Sequence, residues 1–369
     1  AEEIKMEAEK FEMDSSYVSR FVQIPTGEVA VFTDTLDHGF QLREWLPKTE
    51  TIEKSYSIDS DIFERLFFTY QPEGIVFATK GDDNLLNLYA YQYGSKPTKI
   101  DYSPLFINTY LEQSTIVFDN QFFFIGTNEM NDFIVLTTHD DQVETINFSQ
   151  MTNIQNITDV EFYRFSFSDI AYPVVKITTY DRSEYYYDLY HSTNQTLQTF
   201  NDETRQDIES QLIALYYATQ TPLLNVEDAV ISDELFYPEL FYLTQDLSLI
   251  VGANGVRETD PMSGYLINNN SKNVIKGLEH SDIWQGYRDS KFQPLFLEET
   301  NTLYISGADH SGRIALDSED SSLAGLNDYE VALVNQQTAI MRESNRLLEE
   351  GQAFSFAKII SFIRNETAG

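Results

Sequence analysis

A cadence of short apolar strands recurs six times along this chain and leaves few folds open to it. Phe296–Ile314 shows the unit plainly: an apolar strand over 294–298, a polar turn at Glu299–Asn301, a strand from Thr302 to Ser306, a Gly/Asp/His/Ser hairpin, and a return strand beginning at Arg313. Runs of β-branched and aromatic residues bounded by Gly, Pro, Asp and Asn read as strands. Equivalent units open at 19–24, 65–70, 115–119, 160–165 and 239–245. Aligning their second strands superposes Val29, Ile75, Phe122, Val174, Leu249 and Leu303, separated by 46, 47, 52, 75 and 54 residues. Four-stranded units repeating at roughly 40–50 residues are the mark of β-propeller blades.

The expected fold is therefore all-β: a six-bladed β-propeller occupying 19–343 within a single domain over 1–369. A lone four-stranded meander leaves both faces wet; stacking each on its neighbours buries them, and closing the ring protects the ends. Phe67, Phe68, Phe123, Phe124, Tyr163 and Phe296 are the aromatics expected between blades. Three helical segments are predicted around the repeats. Ile4, Ala8 and Phe11 have helical spacing in a short N-terminal helix over 1–13. An insert over 202–220 follows the capping run Asn201-Asp202-Glu203, carries Ile208, Leu212, Leu215 and Tyr216 on one face, and ends at Thr221-Pro222. A C-terminal tail over 344–365 carries Leu347, Leu348, Phe354, Ile359 and Phe362. The sixth unit is expected to be completed by 329–335 and 338–343, beyond a Ser/Asp/Gly-rich excursion.

The third strands and their sequels echo one another in LNLYAYQYGSKPTKI, FIVLTTHDDQVETI and YEVALVNQQTAI. In this cadence the chain resembles the degenerate repeats of bacterial six-bladed propellers of the TolB-like kind, at the level of architecture, over 19–343. The Trp-Asp and Gly-His markers of WD40 repeats, the Ser-x-Asp-x-Gly boxes of sialidases and a Tyr-Trp-Thr-Asp repeat are all missing.

Charge narrows the partners. With 24 Lys+Arg against 59 Asp+Glu, a formal net charge of −35, the chain lacks the basic surface that neutralises phosphates, so nucleic acid is not an expected partner. An anionic membrane surface is disfavoured for the same reason. No run is long and apolar enough for a membrane span. Cysteine is absent, which removes disulfides, thiolate zinc sites and a cysteine nucleophile. Ala1-Glu2-Glu3 fits a terminus left by processing, and the expected compartment is extracytoplasmic, periplasmic or cell-surface. Sequons at Asn147, Asn156, Asn194, Asn269 and Asn365 matter only in a eukaryotic secretory setting.

No catalytic residue is assigned. The chain has no Gly-x-Ser-x-Gly elbow, no His-Glu-x-x-His and no Walker loop. Of the five histidines, His38, His139, His191, His280 and His310, three (His38, His139 and His310) fall beside acidic or turn residues and read as solvated hairpin residues. The strand that opens each unit is the one expected to face the axis. Acids there are Asp119, Glu161, Glu239, Glu298 and Glu299; two of them set either side of a sugar would make a glycoside hydrolase. Arg20, Arg65 and Arg164 lie on the same strands and would hold an anionic group, unless they pair with the neighbouring acids. The candidate ligand-binding set is thus Arg20, Arg65, Arg164, Glu161 and Glu298. Asp317, Glu319 and Asp320 come nearest to a calcium loop, without matching its pattern. No other cofactor is expected. The expected function is a non-catalytic exported module that binds a protein or a glycan through one face of the ring; the alternative is a carbohydrate-active hydrolase using axial carboxylates.

Overall fold

The computed structural model describes residues 2–4, 9–10, 17–35, 39–60, 66–164, 171–219, 235–243, 247–257, 260–270, 274–278, 294–305 and 312–315. They form six antiparallel sheets in succession. The first holds β1 (Glu2–Ile4), β2 (Glu9–Lys10), β3 (Tyr17–Gln23), β4 (Val29–Thr35), β5 (Gly39–Leu46) and β6 (Thr51–Ser57). Its order is β1-β6-β5-β4-β3, and β2 also pairs with β6. The second is β7 (Phe67–Gln71), β8 (Gly74–Lys80), β9 (Leu86–Gln92) and β10 (Thr98–Lys99). The third is β11 (Thr115–Phe118), β12 (Gln121–Thr127), β13 (Phe133–His139) and β14 (Gln142–Asn147), followed by the single turn α1 (Phe148–Met151). The fourth is β15 (Ile157–Phe162), β16 (Val174–Thr179), β17 (Glu184–Asp188) and β18 (Gln198–Thr199), followed by helix α2 (Asp202–Thr219). The fifth is β19 (Phe236–Tyr242), β20 (Leu247–Ala253), β21 (Met262–Asn268) and β22 (Val274–Leu278). The sixth, among the described residues, is β23 (Leu295–Leu297), β24 (Thr302–Ile305) and β25 (Gly312–Ala315).

The N-terminal helix expected over 1–13 is corrected. Glu2–Ile4 and Glu9–Lys10 are strands, and both pair antiparallel with β6. The outer edge of the first sheet offers unpaired backbone groups, and pairing with them outweighs a weak helical spacing of three apolar residues. In the sixth sheet the return strand forms at 312–315, where Gly312 meets Ile305 and Ala315 meets Thr302. The expected strands at 329–335 and 338–343 and the helical tail lie outside the described residues.

The six aligned residues all sit in second strands, and each is 1% exposed or less. Their burial follows from stacking of each meander on its neighbours. Val22, Phe32 and Leu42 of the first sheet join Phe68, Phe77 and Tyr89 of the second. Val76 and Leu88 join Phe122 and Phe124 of the third. Ile116, Phe118 and Phe123 join Val175 and Ile177 of the fourth, and Leu249 and Leu266 of the fifth join Leu303 and Ile305 of the sixth. Successive strand residues point to opposite faces. Phe67 accordingly borders the seam to the third sheet and Phe68 fills the seam to the first; Phe124 and Phe123 divide between seams in the same way.

The last described sheet returns to the first. Phe21, Val29, Val31, Trp45 and Ile52 share a buried cluster with Leu297 and Tyr304. The far side of the fourth sheet is different. Buried Ile208 and Leu212 of α2 belong to the cluster that includes Val174 and Phe200, bordered by Tyr163 and Tyr186, while Arg205 stacks over Tyr163 at 5.4 Å. Asn201 caps α2, its Oδ1 accepting from the Thr204 amide at 3.0 Å and its own amide donating to Thr204 Oγ1 at 3.1 Å. These packed meanders are the blades of a β-propeller.

Candidate functional site

In each sheet the opening strand lies at one edge: β3, β7, β11, β15, β19 and β23. Four of these edges meet at one cavity of about 1030 Å³. Arg20–Gln23 of β3, Tyr70 of β7, Leu243 just after β19 and Leu295–Leu297 of β23 all line it. Its rim is the first turn of the first sheet, Ile24–Glu28, with Leu46, Pro47, Tyr93, Glu298 and Glu299. Pro25 and Gly27 shape that turn: the Gly27 amide donates to the Ile24 carbonyl at 2.8 Å, and Gly27 has φ +107°, a value that glycine adopts at no steric cost. The cavity is therefore a hub on which four of the blades converge.

Its chemistry is mixed. Arg20 is only 4% exposed, and its guanidinium lies 5.0 Å over the Phe68 ring. Tyr70, Tyr93 and Phe296 are half-buried and present aromatic surface from two sheets, the second and the sixth. The three carboxylates, Glu28, Glu298 and Glu299, are exposed. Glu28 accepts from the Thr26 hydroxyl, and Glu299 pairs with Lys48 at 2.9 Å.

Of the residues singled out from sequence, Arg20 and Glu298 line the hub. Glu161 does not: it pairs across the fourth sheet with Lys176 at 2.8 Å. Nor does Arg164, which donates to the Glu112 carbonyl at 3.4 Å and lies 5.8 Å over Phe162, where burial lowers its pKa. Arg65 and the acids Asp317, Glu319 and Asp320 lie outside the described residues, as do His38, His280 and His310. His139 Nδ1 meets Gln121 Nε2 at 3.0 Å at the end of β13. Among the described residues no three His, Asp or Glu side chains converge as a metal site, and no helix is long and apolar enough to cross a membrane.

Polar staples between blades went unread in the sequence. Buried Glu44 accepts from the Tyr91 hydroxyl at 2.9 Å and the Gly94 amide at 2.7 Å, tying the first sheet to the second. Burial pushes its carboxyl above the usual range, although both hydrogen bonds pull the other way. Asn120 closes a two-way bracket on the Tyr70 backbone. Asp188, almost wholly buried, accepts from the Tyr172 hydroxyl at 2.9 Å on each oxygen and from the Tyr190 amide at 2.9 Å. The exposed His191 meets it at 2.7 Å, and the Tyr190 hydroxyl donates to Asp119 of the third sheet. The Asp188-Leu-Tyr-His191 spacing, an acid followed by turn amides it can cap, was the one available signal.

No family model and no curated protein matches the chain. Solved structures similar to it include a protein assigned as TolB from Agrobacterium tumefaciens, at 10% identity and a TM-score of 0.24, covering 71% of this chain and 80% of that one. A protein assigned as a gluconolactonase is 12% identical with a TM-score of 0.29, over 84% of this chain and 94% of its own. The Dos1 propeller is 10% identical with a TM-score of 0.26, over 84% and 74%. At such identity and overlap they supply no residue correspondence; the architecture rests on the sheets, seams and hub.

Proposed function

We propose that the chain is a non-catalytic binding protein that takes a neutral glycan into its hub. The observation that carries this is the meeting of Tyr70 and Tyr93 of the second sheet with Phe296 of the sixth around one cavity, with Glu28 and Glu298 on its rim. Half-buried aromatic rings offer flat faces for sugar rings, and carboxylates accept sugar hydroxyls. The acidic rim disfavours an anionic ligand. At about 1030 Å³ the cavity stands at the upper end of small-ligand sites, roughly 300–1000 Å³, which suits several sugar units better than one. An extracytoplasmic location goes with this reading, supported by the lack of cysteine and the charge of −35.

A glycan array followed by calorimetry on the best neutral oligosaccharide tests it. Tyr70→Ala and Phe296→Ala are expected to weaken binding by about tenfold or more, in line with aromatic contacts carrying most of an interface's energy. Wild-type protein that ignores every neutral glycan, or variants that bind as wild type does, would sink the reading.

The three rim carboxylates favour a second reading, hydrolysis of the bound glycan. A glycosidase acid needs a raised pKa. Among the described residues the carboxyl with a raised pKa is Glu44, which is engaged by Tyr91 and Gly94 and does not line the hub. Release of product from aryl glycosides, abolished by Glu298→Gln, would establish hydrolysis over simple binding.

A further inference from the structure

The face opposite the hub cavity gathers the apolar side chains that packing leaves out. In each meander the first and third turns lie at one end and the second turn at the other. Contacts between neighbouring sheets orient these ends alike. On the cavity side, Asn120 in the first turn of the third sheet grips Tyr70, and the Asn194 amide in the third turn of the fourth donates to Glu144 of the third at 2.7 Å. On the far side, the Phe106 backbone bridges to both Leu85 and Thr127, linking the second turns of the second and third sheets. The fifth sheet presents its first turn to the cavity through Leu243, so its second turn also lies on the far side.

Seven large hydrophobic residues are exposed among the described residues, and five of them stand at this far end. Met130, Tyr180 and Val256, exposed by 72%, 83% and 65%, occupy the second turns of the third, fourth and fifth sheets; Tyr110 and Tyr185 flank them. Single exposed apolar residues scattered over a surface need no explanation, whereas their segregation on one face marks an interaction surface. The same turns are acidic. The described residues of the second turns carry Asp82, Asp83, Glu129, Asp132, Asp181 and Asp260 against Arg182 and Arg257.

We propose that this far face docks a cationic protein surface, with Met130, Tyr180 and Val256 as its apolar anchors. Apolar anchors on turns that also carry acids match a partner surface that combines apolar and basic side chains. A second copy of this chain is disfavoured, because each copy carries −35. An anionic bilayer is repelled in the same way. The docking surface is independent of the hub, so the chain would join a partner protein on one face to a glycan on the other.

A synthetic amphipathic helix of leucine and lysine serves as the probe, its affinity followed by fluorescence anisotropy at low and physiological salt. The combined variant Met130→Ser, Tyr180→Ser, Val256→Ser, all at exposed tips, is expected to bind about tenfold more weakly or worse, while Tyr70→Ala at the hub binds it normally. A leucine/glutamate helix is expected not to bind. The proposal is overturned if the triple variant binds the probe as wild type does, which would mean nonspecific attraction to an acidic protein. It is equally overturned if the leucine/glutamate helix binds as well as the lysine one. Self-association in sedimentation, or binding to phosphatidylcholine vesicles, that the triple variant abolishes would assign the face to a second copy or to lipid instead.

Discussion

The ring of Tyr304 stands edge-on to the indole of Trp45, centroids 4.8 Å apart and planes at 89°, across the seam between the sixth and first sheets. Phe21 completes the group, 5.5 Å from Tyr304 and 5.6 Å from Trp45. Tyr304 is almost fully buried, and its seam joins the two ends of the described repeat. Tyr304→Ala is expected to cost about 3–5 kcal/mol, as removal of buried aromatic rings does. Tyr304→Phe keeps the ring and is expected to lose less than about 1.5 kcal/mol. Urea unfolding with an unchanged m-value is the measurement. An alanine variant as stable as the phenylalanine one would mean that the seam contributes little.

Asn120 is placed to separate a hydrogen-bond effect from a backbone effect. Its φ of 55° is left-handed, and its side chain both accepts from the Tyr70 amide at 2.7 Å and donates to the Tyr70 carbonyl at 2.6 Å. Asn120→Gly keeps the turn and loses only the bracket; a loss of about 1–3 kcal/mol is expected for two hydrogen bonds. Asn120→Ala also loses the bracket but keeps a Cβ at positive φ, and is expected to be about 1–2 kcal/mol less stable than the glycine variant. Because Tyr70 lines the hub, both variants are also expected to bind glycan less tightly than wild type does. Equal stability of the two variants would show that the turn tolerates the Cβ and that strain plays no part.

Glu44 makes stability depend on pH in the less usual direction. Its folded carboxyl titrates above the ordinary 4.5, because burial disfavours the charge more than Gly94 and Tyr91 favour it. Over the interval from 4.5 up to the folded pKa, the native state binds more protons than the unfolded chain does. Its contribution is therefore complete below 4.5 and is lost as pH rises through the folded pKa. Glu44→Gln, which cannot ionise, removes that loss. The stability of the variant relative to wild type is expected to be higher at pH 7 than at pH 4 in paired urea titrations. A difference that runs the other way would mean that the two donors outweigh desolvation.

The blades were legible because their signal is local and repeated. Alternation along Phe67-Phe68 and Phe123-Phe124 sends neighbours into opposite seams, and a one-residue slip would send every one of these rings into the wrong seam. The helix α2 was legible through its cap and its apolar face. The first residues were misread because three apolar positions at helical spacing say nothing of the edge strand β6 waiting for a partner. The staples were hidden for another reason. Glu44 meets Gly94 and Tyr70 meets Asn120 at 50 residues' separation, and only the stacking of blades creates those pairs. At the hub, Arg20 and Glu298 were found because they lie on or beside opening strands; Tyr93 was missed because it enters from a third turn.

The Asp188 cluster yields a test of whether tyrosine or histidine holds the buried charge. The Tyr172 hydroxyl reaches both carboxylate oxygens at 2.9 Å, and the two turn amides of Tyr190 and His191 supply the remaining donors at 2.9 and 3.3 Å. His191 also lies within 2.7 Å, but it is 61% exposed, and an exposed partner contributes at most about 1 kcal/mol. Tyr172→Phe keeps the ring that packs at 4.9 Å against Phe118 and removes only the hydroxyl donor. A loss of about 1.5–3 kcal/mol is expected, since the hydrogen bond goes to a charged group that stays buried. His191→Gln is expected to change stability by less than about 1 kcal/mol at pH 7. If the order of the two effects were reversed, His191 rather than Tyr172 would be the main partner of the buried Asp188 side chain.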